Sequence, residues 1–474
     1  MNARTSRRRF LKSVAIGAAG WSILENSRSV WGAAANEKLN LALIGTGNRG
    51  RGYVGKVGRL NHNLVAVCDV DEYRLNQLQN LPTGVRKFRD FRKVLDELDR
   101  SLDGVIIAAS DHNHAAITAA ALKRGKHVFC EKPLTQDIGE ARSIRQLASQ
   151  RKSQVTQMGN QGITTDAYRR VLEQVQQGVI GEIREAHLWF DGIGGSGRVA
   201  RPTESQEVPE DLDWDLYLGP VAFRPYHLNY VHSYRNWREF TTGTLGVCFV
   251  HSIHMTFRGL NIGALWEGAG GAGARIRVEA EFPELCPDNY PAWQKVRFAV
   301  PARGKLPPAT VTCYNGREDT LTARGVPERM QKIAGRPLDW GSGWAAKSGS
   351  LLVGSKGVVH TNPHNSKCLI LPEDKFPDQG GPPRTIPSSG RQPVVTDGEA
   401  DLQVLREWTE AIKGGRGTFS DFNRAAPLTE FVLLGNIATR LGRPLEYDPV
   451  AGKITNDEEA NRWIHPPRRK GWEL

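Results

Sequence analysis

The chain has 474 residues, 24% of them charged and 39% hydrophobic, and Gly and Pro together make up about one residue in six. That share lies below the level of a low-complexity chain, and no uninterrupted apolar run reaches the roughly 20 residues that cross a bilayer. A disordered, fibrous or stably membrane-inserted chain is excluded, and the length predicts two globular domains.

Ser6-Arg7-Arg8-Arg9-Phe10-Leu11-Lys12 leads into a mild apolar run from Val14 to Leu24 and then Ala33-Ala34-Ala35. A charged start, a short apolar stretch and a small-residue cleavage site predict an export leader over residues 1–35. The paired arginines resemble the twin-arginine class. The expected mature protein is periplasmic or otherwise exported. Losing residues 1–35 removes six basic residues and one acid, lowering the net charge from +12 to +7. The remaining Lys and Arg are scattered among acids without aromatic interleaving, so no nucleic-acid partner is expected. The six cysteines form no CxxC pair and no metal framework is visible. They read as buried free thiols, although export permits a disulfide among Cys248, Cys286, Cys313 and Cys368.

Leu39 to Ile44 reads as a buried strand that runs into Gly45-Thr46-Gly47-Asn48-Arg49-Gly50. The first glycine permits a tight turn, the second lets the backbone approach a pyrophosphate, and the third lets a helix pack closely with its amides facing the phosphates. A second strand, Leu64 to Cys68, ends at Asp69, 19 residues beyond Gly50, near the spacing of a ribose-binding acid. The carboxylate favours NAD over NADP, with Arg49 and Arg74 weighing the other way. Strand 104–108, a helix from His114 to Arg124 and strand 127–130 continue a parallel βαβ series. Residues 36–155 are therefore expected to be a doubly wound Rossmann domain, an α/β fold with its crevice at the carboxyl ends of the strands. Residues 156–474 form the second domain.

Two strings follow those strand ends: Ser110-Asp111-His112-Asn113-His114 and Glu131-Lys132-Pro133. Both belong where a nicotinamide would lie, and a lysine there can polarise a carbonyl or stabilise an alkoxide. With GxGxRG, Cys68-Asp69-Val70-Asp71 and Gly125-Lys126-His127-Val128-Phe129-Cys130-Glu131-Lys132-Pro133-Leu134, these strings resemble the Gfo/Idh/MocA oxidoreductases. Trp214 to Pro220 and Arg469 to Leu474 look like an exported branch of that family. The resemblance implies Lys132 as catalytic lysine. It implies cofactor contacts from Gly45, Gly47, Asn48, Arg49, Gly50, Asp69, Ser110, His112, His114, Glu131 and Lys132. It also implies a second domain with a large open, mostly antiparallel sheet, and a homo-oligomer. The alternation of Ala274 to Ala280 agrees independently with a half-buried strand.

The family's second catalytic element is an Asp with a His four residues later. Here His251 is present and Val247 stands at the Asp position. A histidine can still accept a hydroxyl proton, but it lacks its carboxylate partner. His254, one turn on, is expected to share the face of His251. The run from Trp214 to Trp237, with Tyr226, His227 and Trp237, offers flat rings and polar edges that suit a sugar, or else a loop packed through its aromatics. Asn160 and Gln161 are further candidate substrate contacts. No metal is expected. The leading reading is an oxidoreductase that holds NAD tightly, oxidises a sugar or cyclitol hydroxyl and recycles its cofactor. The alternatives are glycoside cleavage through a keto sugar and a carbohydrate-binding protein without catalysis. Helices are expected from Ala400 to Lys413 and from Pro427 to Leu441.

Overall fold

The computed structural model describes residues 38–191, 197–340, 347–390 and 397–474. The leader expected over 1–35 lies outside them. Six parallel strands form the first sheet: β1 (Asn40–Ile44), β2 (Asn63–Cys68), β3 (Arg86–Phe88), β4 (Gly104–Ile107), β5 (His127–Cys130) and β6 (Thr156–Met158), in the order β3-β2-β1-β4-β5-β6. Successive residues of β1 enter two different cores. Leu41 and Leu43 pack with Tyr53 and Trp408, while Ala42 and Ile44 face the opposite side. Burial on both faces accounts for the continuous apolar run of this strand. The strand order reverses between β1 and β4, and the glycine turn lies there.

Helices α1 (Asn48–Arg59), α2 (Phe91–Glu97), α3 (His114–Lys123) and α4 (Ile138–Gln150) connect these strands. Helix α4 starts in a capping box: the Asp137 carboxylate accepts from Glu140 N at 2.8 Å, and Glu140 accepts from the Asp137 amide at 3.3 Å. This satisfies free amides on both sides of the turn and fixes the loop that follows Lys132.

The first unit runs past the expected boundary at 155, because β6 pairs with β5 through Thr156–Met158. It also borrows an element from far along the chain. Helix α7 (Asp397–Ile412) sets Val404, Leu405 and Trp408 against Leu41, Leu43 and Phe129.

The second sheet has nine strands, ordered β13-β12-β11-β7-β10-β9-β8-β14-β15. Strands β7 (Ile183–Asp191) and β10 (Ala309–Gly316) pair in parallel. The other neighbours, from β8 (Ile276–Glu281) and β9 (Gln294–Val300) to β11 (Gly349–Gly354), β12 (Val358–Thr361), β13 (Cys368–Leu371), β14 (Leu445–Asp448) and β15 (Lys453–Ile454), are antiparallel. Ile276 and Val278 are buried and Arg277 is exposed, the period-two pattern of a strand with one wet face. Helix α8 (Phe422–Leu441) covers the dry face, with Phe431 stacked 4.4 Å from Phe298. It starts five residues before the expected Pro427. Asp421 caps it by accepting from Asn423 N at 3.0 Å, and Pro427 lies inside at the cost of one helical hydrogen bond. Helices α5 (Asp166–Gln176) and α6 (Val250–Gly259) pack on each other and on strands of the second sheet, the latter preceded by a π-turn over Leu245–Phe249. All six cysteines are free thiols.

Candidate active site

A cleft of about 600 Å³ opens at the carboxyl ends of the first sheet, between the two domains. The glycine turn forms its floor. A Cβ on Gly45, whose φ is +87°, would meet the Ala108 and Ala109 backbone at 2.4–2.6 Å. One on Gly50 would meet the Gly45 carbonyl oxygen at 1.8 Å. Those two glycines are dictated by the protein's own packing. Gly47 is different: its nearest neighbour would be the tip of Arg74, at 3.2 Å. The space above Gly47 is kept by the fold without being used by it. Gly47 caps α1 with no side-chain bond to the first amides, so those donors remain for an anion. The residues present therefore fit a dinucleotide pyrophosphate, with Asn48 at the start of the helix on the cleft wall.

On the β2 side, Asp69 Oδ2 accepts from Thr46 N at 2.6 Å and from Thr46 Oγ1 at 3.0 Å, and Oδ1 accepts from Asp71 N at 3.1 Å. Burial raises the Asp69 pKa against these bonds. The carboxylate braces the glycine turn while lining the cleft, with acceptor capacity left for a ribose hydroxyl.

Arg49 and Glu131 line the cleft and are also tied into a charged network. Arg49 donates to Glu131 Oε1 at 2.8 Å and to both oxygens of Asp401 at 2.9 and 2.6 Å. Tyr53 donates a short bond to the same Glu131 oxygen. Burial alone would raise the Glu131 pKa, but Arg49 and Lys132 bring it below its ordinary value. Both residues border the cleft, yet their charges are spent on each other and on tying α1 to β5 and α7.

Lys132 lies at the end of β5 on the opposite flank of the glycine turn, and its Nζ donates to the Val247 carbonyl at 2.9 Å. At the position of the expected Asp, the chain supplies a main-chain oxygen from the π-turn. Burial lowers the Lys132 pKa despite the opposing influence of Cys248 and Glu131. The preceding string is anchored separately. Asp111 Oδ2 accepts from Thr241 Oγ1, Thr242 N and Thr242 Oγ1 at 2.9–3.1 Å. His114 faces two carbonyls, Pro133 at 2.7 Å and Ala109 at 2.9 Å. Burial opposes its charge, but Cys130, Asp111 and the Pro133 carbonyl lift its pKa to about 10. A ring between two acceptors must donate from both nitrogens, so His114 is a fixed imidazolium clamping the Lys132 loop. Ser110 lines the cleft. His112 does not: its Nε2 contacts the Tyr217 carbonyl at 2.7 Å, one layer behind.

His251 is buried on α6, one layer behind Val247, with its ring 4.9 Å from that of His364. Its Nδ1 has no hydrogen-bond partner among the described residues. Burial, then His364, Lys132 and Arg49, drive its pKa well below the usual histidine value. It is a neutral imidazole with a free ring nitrogen.

Several predicted substrate contacts are engaged elsewhere. His254 lies within electrostatic reach of His251, but its Nδ1 meets Tyr168 Oη at 2.7 Å in the core. Asn160 is fully buried between the Val250 carbonyl, at 3.1 Å, and Ser420 Oγ, at 2.9 Å. Gln161 donates to Asp401 at 2.6 Å. Tyr226 and Trp237 join Trp214, Tyr217, Tyr230 and Phe240 in a core of their own, and His227 accepts from Asn229 N at 3.1 Å as a helix cap. The same run does reach the cleft, through Tyr217, Val231, His232, Tyr234 and Arg235. Arg235 and His232 were legible as polar residues between rings. Asp401 and the Thr241-Thr242 pair carried no local signal.

Cleft, glycine turn and strand-end lysine together define a two-domain nucleotide-dependent oxidoreductase scaffold. Residues 39–158 match the family model described as an oxidoreductase family with an NAD-binding Rossmann fold, and residues 196–300 and 398–474 match that family's C-terminal alpha/beta domain. The chain belongs to the Gfo/Idh/MocA oxidoreductase family, and its first domain is of the NAD-binding type. It is 30% identical over 151 residues to inositol 2-dehydrogenase 3 of Saccharopolyspora erythraea, an overlap of 31% of this chain and 44% of that protein. It is 28% identical over 206 residues to a glycosyl hydrolase family 109 protein of Shewanella pealeana, covering 38% of this chain and 44% of the relative. The chain thus matches less than half the length of either. A levoglucosan dehydrogenase solved with NADH and levoglucosan shares the fold, with a TM-score of 0.57, 16% identity and coverage of 86% of this chain and 99% of that one.

Proposed function

We propose that this chain is an NAD-dependent oxidoreductase acting on a hydroxyl of a sugar, sugar derivative or cyclitol, exported and holding its cofactor through turnover. The observation that carries the reading is Lys132 in the same cleft as the glycine turn, on the flank opposite Asp69. Bound NAD supplies the hydride-accepting chemistry. The chain has to hold the hydroxyl oxygen and take its proton. Lys132 has one ammonium proton on the Val247 carbonyl and two left to draw charge from a developing alkoxide. His251 is the candidate proton acceptor of the reading, a neutral imidazole outside the cleft lining whose lowered pKa makes it a weak base as it stands. Inositol and levoglucosan in the names of relatives and neighbours support a polyhydroxylated substrate.

The first experiment measures nucleotide released on denaturing purified protein, then absorbance at the NADH band with a panel of sugars and cyclitols. Bound NAD with reduction on sugar addition supports the reading, and an empty protein that reduces no NAD with any of them sinks it. The family 109 relative favours a second reading, in which a transient keto sugar allows elimination of a glycosidic bond. Isotope exchange at the oxidised carbon without accumulated ketone selects that reading over net oxidation.

A further inference from the structure

The sheet order gives the cleft a direction. Asp69 on β2 marks the adenosine flank, and Lys132 on β5 marks the nicotinamide flank. Beyond Asp69, at the end of β3, Phe91 borders the cleft, and the residue facing it comes from the far end of the sequence. Trp472 lines the cleft with only 7% of its surface exposed, its ring 6.0 Å from that of Phe91. Arg92 lies 5.0 Å from the Trp472 ring centroid.

The segment carrying Trp472 is held at several points. Arg469 N donates to the Pro220 carbonyl at 3.0 Å, Arg469 Nε to the Gly219 carbonyl at 2.9 Å, and its other nitrogens to Asp215. Arg468 pairs with Asp137 at 2.7 Å and with Glu140, the two acids of the α4 capping box. A second strip of the same domain meets the loops after β2 and β3. Glu72 N donates to the Asp211 carbonyl at 2.8 Å, Asp213 N to the Val70 carbonyl at 2.9 Å, and Arg89 to the Asp211 carbonyl at 3.1 Å. From these two segments Leu212, Leu216, Tyr217 and Trp472 line the cleft.

We propose that Trp472 is an adenine-contacting residue and that the Arg468-Arg469 anchors make the second domain a retaining wall for the adenosine half of NAD. The inference rests on the cofactor of the first domain and not on the proposed substrate or reaction. An indole beside a base contributes stacking that is sequence-blind but specific for the base end. The anchors oppose movement of the segment that carries Trp472 and so oppose release of the adenosine end.

The test uses full-length protein stripped of nucleotide, with ADP-ribose and nicotinamide mononucleotide as separate probes. Trp472→Ala is expected to weaken ADP-ribose roughly tenfold, the size of one lost base stack, and to leave nicotinamide mononucleotide unchanged. Trp472→Phe is expected to keep most of that affinity and to lose part of the tryptophan quench on ADP-ribose binding. Arg469→Gln is expected to speed NAD release from the loaded protein. Unchanged ADP-ribose binding in Trp472→Ala, or equal loss for both probes, overturns the proposal. Should Trp472→Ala not fold, an undiminished quench in Trp472→Phe overturns it instead. None of these readouts depends on turnover, so failure of the oxidoreductase reading leaves them interpretable.

Discussion

The glycine turn at 45–50 and the aromatic run at 214–237 are both dense in residues suited to a ligand, and the fold treats them in opposite ways. In the turn, crowding by Ala108, Ala109 and the Gly45 carbonyl fixes two glycines, leaving the third beside the flexible tip of Arg74. In the aromatic run, Trp214, Tyr226, Tyr230 and Trp237 bury one another, because rings of 150–250 Å² gain more from packing than from waiting for a ligand. The cleft receives what lies between the rings, such as His232 and Arg235. Backbone-encoded sites survive folding where they stand, whereas large apolar side chains are drawn into a core.

The largest expected effect breaks the turn. Gly50→Ala places a methyl 1.8 Å from the Gly45 oxygen, and bound nucleotide measured after denaturation should vanish. Next, Lys132→Met should lower turnover by about 10²–10⁴-fold, the range for a positioned acid–base or oxyanion group, with nucleotide content retained. In the aromatic run, Trp237→Ala should cost about 3–5 kcal/mol of stability, read as a lower Tm with sugar affinity nearly unchanged. Arg235→Ala should do the reverse, and matching effects from the two would erase the distinction drawn above.

A pH series sharpens the site further. His251 and His254 titrate well below the usual value, and His62 falls to about 4. The unfolded chain then binds more protons than the folded one, so stability drops as pH falls below about 6.5. His114, at about 10, does the opposite: its contribution is complete below about 6.5 and is lost as pH rises towards 10. His114→Gln should flatten the alkaline limb of a Tm-against-pH curve and leave the acid limb in place. The smallest effect is expected from Val247→Asp. The main chain already holds Lys132, so turnover should stay within about tenfold, the worth of one ordinary hydrogen bond. A larger gain would show that the carbonyl is a poor substitute for a carboxylate.

What was legible in the sequence is what short segments decide by themselves. The strand, glycine turn and helix at 40–59, Asp69 at its spacing, and Lys132 at a strand end all follow from local backbone rules. Contacts across long separations were not legible. The Arg49 partner Asp401 is 352 residues away, and nothing near Arg49 announces that its charge is already taken. Helix α6 hid its orientation for another reason. Residues 250–257 are all buried, so no polar stripe tells how the helix is turned, and His254 faces Tyr168.

Helix α7 sets the timetable of synthesis. Leu41, Leu43, Ile106 and Phe129 are covered by Tyr53, Val54 and Val57 of α1 on one side, and on the other only once Val404, Leu405 and Trp408 arrive, with Trp408 Nε1 reaching the Val155 carbonyl at 3.1 Å. A chain emerging from the ribosome therefore cannot complete its first domain first, as many multidomain proteins do. One face of the six-stranded sheet stays only partly covered until residues 397–412 have been made.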